Sequence, residues 1–183
     1  MVEIKDLTVS YDRKTIFSHH SFVLPDKGLV LLCGESGIGK TTLLFVIAGL
    51  IKPQSGRVFG LERRKISFVF QEPRLLEHMR AIDNVSLVSD PLKAKVLMDA
   101  LNLSDVAEQA AGELSGGQKQ RVSLARAYAF SDDVVLLDEP FTGLDEANKM
   151  RAIELIRTAR LAIVVSHDPD DEALLRPDIK INL

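Results

Sequence analysis

Two stretches of this sequence carry residue types at spacings suited to phosphate chemistry. The first is Gly34-Glu35-Ser36-Gly37-Ile38-Gly39-Lys40-Thr41-Thr42, which fits a glycine, four residues, Gly-Lys and then Ser or Thr. Its glycines let the backbone curl until successive N–H groups point at one phosphate, and the helix that follows offers its positive dipole end to an anion. Lys40 is placed to bridge the outer two phosphates of a nucleoside triphosphate, and the Thr41 hydroxyl is a hard oxygen ligand for magnesium. The second is Asp138-Glu139-Pro140 at the end of the apolar run Val134-Val135-Leu136-Leu137, where α/β folds place ligand-binding groups. Asp138 is the expected acidic partner of Thr41 around magnesium, directly or through water. Glu139 is the candidate to polarise a water attacking the γ-phosphate, either as general base or by positioning that water. An Asp-Glu pair at a strand end also serves as a helix cap, but Pro140 and the apolar residues upstream favour the chemical role.

Both stretches need elements to aim them. The apolar run Leu29 to Cys33 before the glycine loop and Leu43 to Leu50 after it read as buried strand, loop and helix. Val2 to Val9 alternates as a half-buried strand does, and a second strand from about Thr15 to Leu24 follows the polar turn Ser10 to Lys14, which predicts an antiparallel hairpin. His19 and His20 are neighbours in that second strand and point to opposite faces, so they read as structural and not as a metal pair. Arg57-Val58-Phe59 is a short strand and Ile66 to Phe70 a buried one; Glu62-Arg63-Arg64-Lys65 between them is a solvated turn or an interaction patch.

From about residue 74 to 112 helical spacing takes over. Leu75, Met79, Ile82, Val85 and Val88 recur on one face, Pro91 starts a helix carrying Leu92, Val96, Leu97 and Leu101, and Ser104 is placed as an N-cap. Leu114 to Gln118 opens a helix reaching about Phe130, a further helix covers Glu146 to Thr158, and strands follow at Leu161 to Val165 and Ile179 to Ile181. Buried strands alternating with helices predict an α/β fold of the P-loop NTPase kind. Its parts are a mostly parallel central sheet, an N-terminal antiparallel β part and a short helical insert at about residues 72–130, within one domain of residues 1–183.

Composition bounds the function. A chain of 183 residues is one domain, and 46% hydrophobic with 27% charged residues is the balance of a soluble globular protein. The net charge of −3 supplies no basic field, so nucleic acid is not an expected partner. Cys33 is the only cysteine, which excludes a disulfide framework and points to a reducing, cytosolic compartment. No apolar run is long enough to cross a bilayer, and Met1-Val2-Glu3-Ile4 lacks the basic start of a signal peptide. A role at a membrane therefore requires a partner that holds the chain there.

Leu114-Ser115-Gly116-Gly117-Gln118, upstream of Asp138-Glu139, resembles the signature of the ATP-binding-cassette (ABC) ATPases, and further motifs follow in that family's order. Tyr11 stands where an aromatic stacks on adenine, although a strand-end tyrosine also packs on a core. Gln71 matches the Q-loop glutamine, whose oxygen reaches magnesium; alone it would be a surface amide. Gly143-Leu144-Asp145 matches the D-loop, with Thr142 where serine is commoner, and His167 matches the switch histidine that contacts the γ-phosphate, although a lone histidine more often caps or packs. The resemblance spans Tyr11 to His167, nearly the whole chain. It implies ATP and Mg2+ as cofactors, with Lys40, Glu139 and His167 as catalytic groups. It also implies that Ser115, Gly116, Gly117 and Gln118 face the nucleotide of a second copy, or of a related subunit, in a head-to-tail dimer.

The implied function is the ATPase subunit of an ABC transporter, on the cytoplasmic face of the cell membrane, bound to membrane-spanning permease subunits. The segment from Gln71 to about Val88 is the expected coupling surface, with Leu75, Leu76, Met79 and Ile82 shared between core and docking groove. Gln71 to Leu76 looks like ATPases of some bacterial importers for small solutes. The alternative is a soluble ABC ATPase that remodels proteins, nucleic acids or ribosomes; a small-metabolite kinase is disfavoured by the signature and Asp138-Glu139.

Overall fold

The computed structural model describes residues 1–11 and 14–183; the side chains of Tyr11 and Pro169 lie outside the described set, as do Asp12 and Arg13 of the expected hairpin turn. The first half of the chain runs β1 (Val2–Tyr11), β2 (Lys14–Leu24), β3 (Gly28–Cys33), α1 (Lys40–Ile47), β4 (Ser55–Phe59) and β5 (Ile66–Val69). The second half runs α2 (Ala81–Ser86), α3 (Pro91–Ala100), α4 (Gly116–Phe130), β6 (Val134–Asp138), α5 (Glu146–Ile156), β7 (Leu161–Val165), α6 (Pro169–Leu175) and β8 (Ile179–Asn182). β2, β1 and β4 form an antiparallel sheet in that order, and β5-β6-β7-β3-β8 form a parallel one.

Residue alternation explains why the central strands are apolar without a break. Val30, Leu32, Val134, Leu136, Leu161 and Ile163 face one core together with α1 and the antiparallel sheet. Leu29, Leu31, Val135, Leu137, Ala162 and Val164 face another with α3, α4 and α5. A sheet covered on both faces has no polar side to show.

The helical insert departs from its sequence pattern. The expected helix through Leu75, Met79 and Val88 shrinks to the six residues of α2. Asn84, fully buried, accepts the Leu76 N–H at 2.8 Å and donates to the carbonyls of Leu76 and Arg80 at 3.2 and 3.1 Å. Arg126 of α4 donates to the carbonyls of Pro73 and Arg74, both at 3.0 Å. These side chains satisfy backbone groups that a helix would otherwise pair, so the segment before α2 stays irregular. Ser104 does not cap a helix: its hydroxyl bonds to Asp99, and only a single 3-10 turn follows.

Arg64 corrects the reading of residues 62–65 as a solvated turn. Its side chain is only 10% exposed, paired with Asp26 at 3.2 Å and Asp133 at 2.8 Å. These groups and Arg160 sit where the parallel strands begin. The Arg160 guanidinium, 2.7 Å from Asp26, is the main cause holding that carboxyl at about 2. The charge network pins the edge of the sheet opposite the phosphate loop.

Candidate nucleotide site

All four strands that carry candidate groups end on the same edge. β3 runs into the glycine loop, β5 is followed by Gln71, β6 ends on Asp138, and β7 is followed by Ser166 and His167. Register places Leu32, Val165 and Asp138 abreast on neighbouring strands, so the loop and the carboxylates start about 10 Å apart, two strand spacings. Between them opens a cavity of about 400 Å3. Ser36, Gly37, Gly39, Lys40, Thr41 and Thr42 form one wall, and Gln71, Asp138, Glu139 and His167 complete it. Gly34, Glu35 and Ile38 belong to the same loop but do not line the cavity, and the Tyr11 side chain lies outside the described residues. Ile16 and Val165 are lining residues that no motif announced.

The loop is built by close approach. Gly39 is the N-cap of α1 in a left-handed conformation, φ 114°, and a Cβ there would lie 2.4 Å from Ile16 Cγ2 and 2.9 Å from Phe17 Cζ. Gly39→Ala is therefore expected to lose about 1–3 kcal/mol of stability from backbone strain, with weakened nucleotide binding. A thermal melt and a binding titration check both, and a wild-type melt would contradict it. Lys40 is 7% exposed, and its amine donates to the carbonyls of Gly34 at 2.9 Å and Glu35 at 3.0 Å. The loop is thus wrapped around its own cation. No acidic residue occupies the first turn of α1, which leaves its dipole open to an anion.

Asp138 is 3% exposed. Burial pushes its carboxyl up; the nearby Thr41 hydroxyl lowers it less, while the Glu139 charge adds to the rise. A buried carboxylate beside a hydroxyl, on a cavity, suits a hard divalent cation. Among the described residues no three His, Cys, Asp or Glu side chains form a metal cage.

Glu139 has φ 50°, a sparsely populated conformation for a residue with a side chain. The surroundings over-determine it. Its N–H donates to the Val165 carbonyl at 3.0 Å, and its own carbonyl accepts the Thr142 hydroxyl at 3.1 Å and the Thr142 N–H at 3.4 Å. Its carboxylate lies 2.9 Å from His167 Nδ1. That contact holds the His167 pKa above the ordinary 6.5. The pair's contribution to stability is full below 6.5 and fades as pH rises through the raised value. In Glu139→Gln, His167 should titrate lower, as followed by imidazole NMR; an unchanged midpoint would break the assignment.

The signature residues are elsewhere. Ser115 to Gln118 do not line the cavity. They open α4 with a capping box: the Ser115 hydroxyl oxygen accepts the Gln118 N–H at 3.3 Å, and Gln118 Oε1 accepts the Ser115 N–H at 2.8 Å. Gln118 therefore holds Ser115 in place. Ser115 and Gly116 are exposed, and a Cβ on Gly116 would meet nothing within 4 Å. Gly117 is the opposite case: a Cβ there would lie 2.4 Å from the Gly143 carbonyl, so the signature turn is seated on the turn after Glu139.

Known proteins resemble this chain in sequence and fold. The ABC transporter family model matches residues 17–142. The chain is 34% identical to the sulfate/thiosulfate import ATP-binding protein CysA 1 of Agrobacterium fabrum, over 93% of this chain and 57% of that protein. It is also 34% identical to CysA of Escherichia coli K12, over 93% and 54%. The chain thus spans little more than half the length of these relatives. Among solved structures, the ATP-binding cassette MJ0796, a dimer in a post-hydrolysis state bound to ADP and Pi, superposes with a TM-score of 0.87 at 26% identity, covering 100% of this chain and 94% of that one. No helix among the described residues is long and apolar enough to cross a membrane. Sequence and fold lead to one family, and this chain is a member of it: the ATP-binding cassettes of the ABC transporters.

Proposed function

We propose that the chain binds ATP with magnesium in the cavity, hydrolyses it to ADP and phosphate, and drives solute transport through a membrane-spanning partner. One observation carries the reading. The cavity gathers Lys40, Thr41, Asp138, Glu139 and His167, yet the exposed signature turn lies outside it.

In this reading the loop amides and Lys40 bind the β- and γ-phosphates, with the amine exchanging the Gly34 and Glu35 carbonyls for phosphate oxygens. Thr41, Asp138 and Gln71 would hold magnesium, which would supply charge neutralisation at the phosphate oxygens. Glu139 orients a water and takes its proton as the water oxygen bonds to the γ-phosphorus and the bridging P–O bond breaks. His167, whose pKa the Glu139 contact raises, reaches a γ-phosphate oxygen with its other ring nitrogen. The Tyr11 ring stacks on adenine.

A second ATP-loaded chain brings Ser115, with the Gly116 and Gly117 amides of its helix N-terminus, onto the same γ-phosphate. Gln118 fixes that turn. Two chains close on two ATP molecules and part after cleavage. The dimeric MJ0796 cassette supports this pairing, and the import ATP-binding relatives support a permease partner over a permease-free remodelling role. Leu75 and Ile82 pack on the core, whereas Leu76, Leu87 and Val88 are exposed. We assign these three to docking on the permease at the inner face of the membrane. The first test is phosphate release from Mg-ATP by the purified chain. Turnover that is lost in Lys40→Ala supports the reading; no release from the wild type, alone or with permease, rejects it.

A further inference from the structure

Lys149 matches no motif and does not line the cavity, yet it touches both segments that flank the reacting groups. It lies on the first turn of α5, where its N–H donates to the Asp145 carbonyl at 2.8 Å. Its side chain is only 14% exposed. The amine is 3.2 Å from Asp168, contacts the Asp171 carboxylate and lies 5.6 Å from the centre of the Phe141 ring. Asp168 directly follows His167. Asp171 is 2% exposed and takes the Ser166 hydroxyl, whose oxygen in turn accepts the Asp168 N–H at 3.2 Å. Phe141 is two residues beyond Glu139.

A lysine on an ordinary helix face keeps its amine in water. Here burial alone would lower the Lys149 pKa, but the Asp171 and Asp168 carboxylates outweigh it and keep the amine charged. A charge is buried against two carboxylates that both belong to the segment following β7. The same charge rests on the ring that follows Glu139.

We propose that Lys149 is a positioning residue for ATP hydrolysis: it fixes the His167 loop against the turn after Glu139 and ties both to the start of α5. The proposal rests on the ATPase reading above. Bonding between His167 and Glu139 at 2.9 Å depends on the relative placement of two loops that, among the described residues, share no backbone pairing beyond Glu139 N–H to Val165. Lys149 supplies a side-chain link from outside the cavity.

The test compares Lys149→Met, Lys149→Arg and Asp168→Asn in phosphate release from Mg-ATP and in hydrogen exchange at residues 166–171 without nucleotide. Asparagine keeps the N-cap of α6 while removing the charge, so Asp168→Asn serves if Lys149→Met does not fold. Misplacement of about 1 Å costs up to about a hundredfold, so Lys149→Met should lower kcat about ten- to a hundredfold. KM for ATP should stay unchanged, a pattern that marks loss of a transition-state interaction and not of binding. Lys149→Arg should recover most of the rate, Asp168→Asn should show a smaller loss of the same kind, and exchange at 166–171 should quicken in Lys149→Met. A folded Lys149→Met chain with wild-type kcat overturns the proposal, as does unchanged exchange at 166–171. A wild-type chain without turnover rejects the ATPase reading instead, and the exchange comparison still decides whether Lys149 holds the loop.

Discussion

Glu139→Gln is expected to leave ATP binding intact and to slow hydrolysis by about 10²- to 10⁴-fold, the range for removing a positioned general base. The amide is nearly isosteric with the carboxylate, so the backbone bonds to Val165 and Thr142 and the left-handed turn at 139 persist. What disappears is the acceptor that the proposed mechanism assigns to the water's proton. Lys40, Thr41 and Asp138 are untouched, so affinity for Mg-ATP should stay close to wild type. Phosphate release and nucleotide binding measured on the same preparation check the pair of outcomes. Normal turnover would remove Glu139 from its role, and lost binding would show that it holds nucleotide and not water.

Ser115→Arg should abolish hydrolysis while each chain still binds ATP. Ser115 is exposed at the start of α4 and outside its own cavity, so an arginine has room within the chain. The local cost is loss of the N-cap, about 1 kcal/mol, too little to unfold a domain with two buried cores. On the proposed shared site, the clash should fall on the γ-phosphate held by the other chain. Lys40→Ala should do the reverse, weakening nucleotide binding within its own chain. Fluorescent-nucleotide titration of both variants separates them; equal loss of affinity in the two would count against a shared site.

The residues of the candidate site were legible in the sequence because their signals are local. The glycine loop, the Val134 to Leu137 run and the Leu161 to Val165 run each carry their pattern within ten residues, and the sheet places them on one edge. The α6 helix had a local signal too: Asp168 before Pro169, with acidic residues at 170–172, is a helix start. Sequence reading assigned that stretch no element.

What could not be read depends on distant partners. The pattern through Leu75 and Met79 is helical, but buried Asn84 and Arg126 take its backbone groups. Arg64 looks like a surface charge until Asp26 and Asp133, far away in sequence, are brought beside it. Lys149 likewise gains its meaning only when α5 and α6 pack. The seating of Gly117, in the first turn of α4, on the Gly143 carbonyl is also a contact that no spacing encodes.

The central claim is that two chains share each nucleotide. Light scattering of Glu139→Gln with Mg-ATP tests it most directly, because slowed hydrolysis should trap the closed state. The account predicts twice the 20.2 kDa chain mass with ATP, the single-chain mass without it, and return to the single-chain mass when Ser115→Arg is added. A Glu139→Gln chain that binds ATP and stays at 20.2 kDa, or a dimer indifferent to Ser115→Arg, would contradict it.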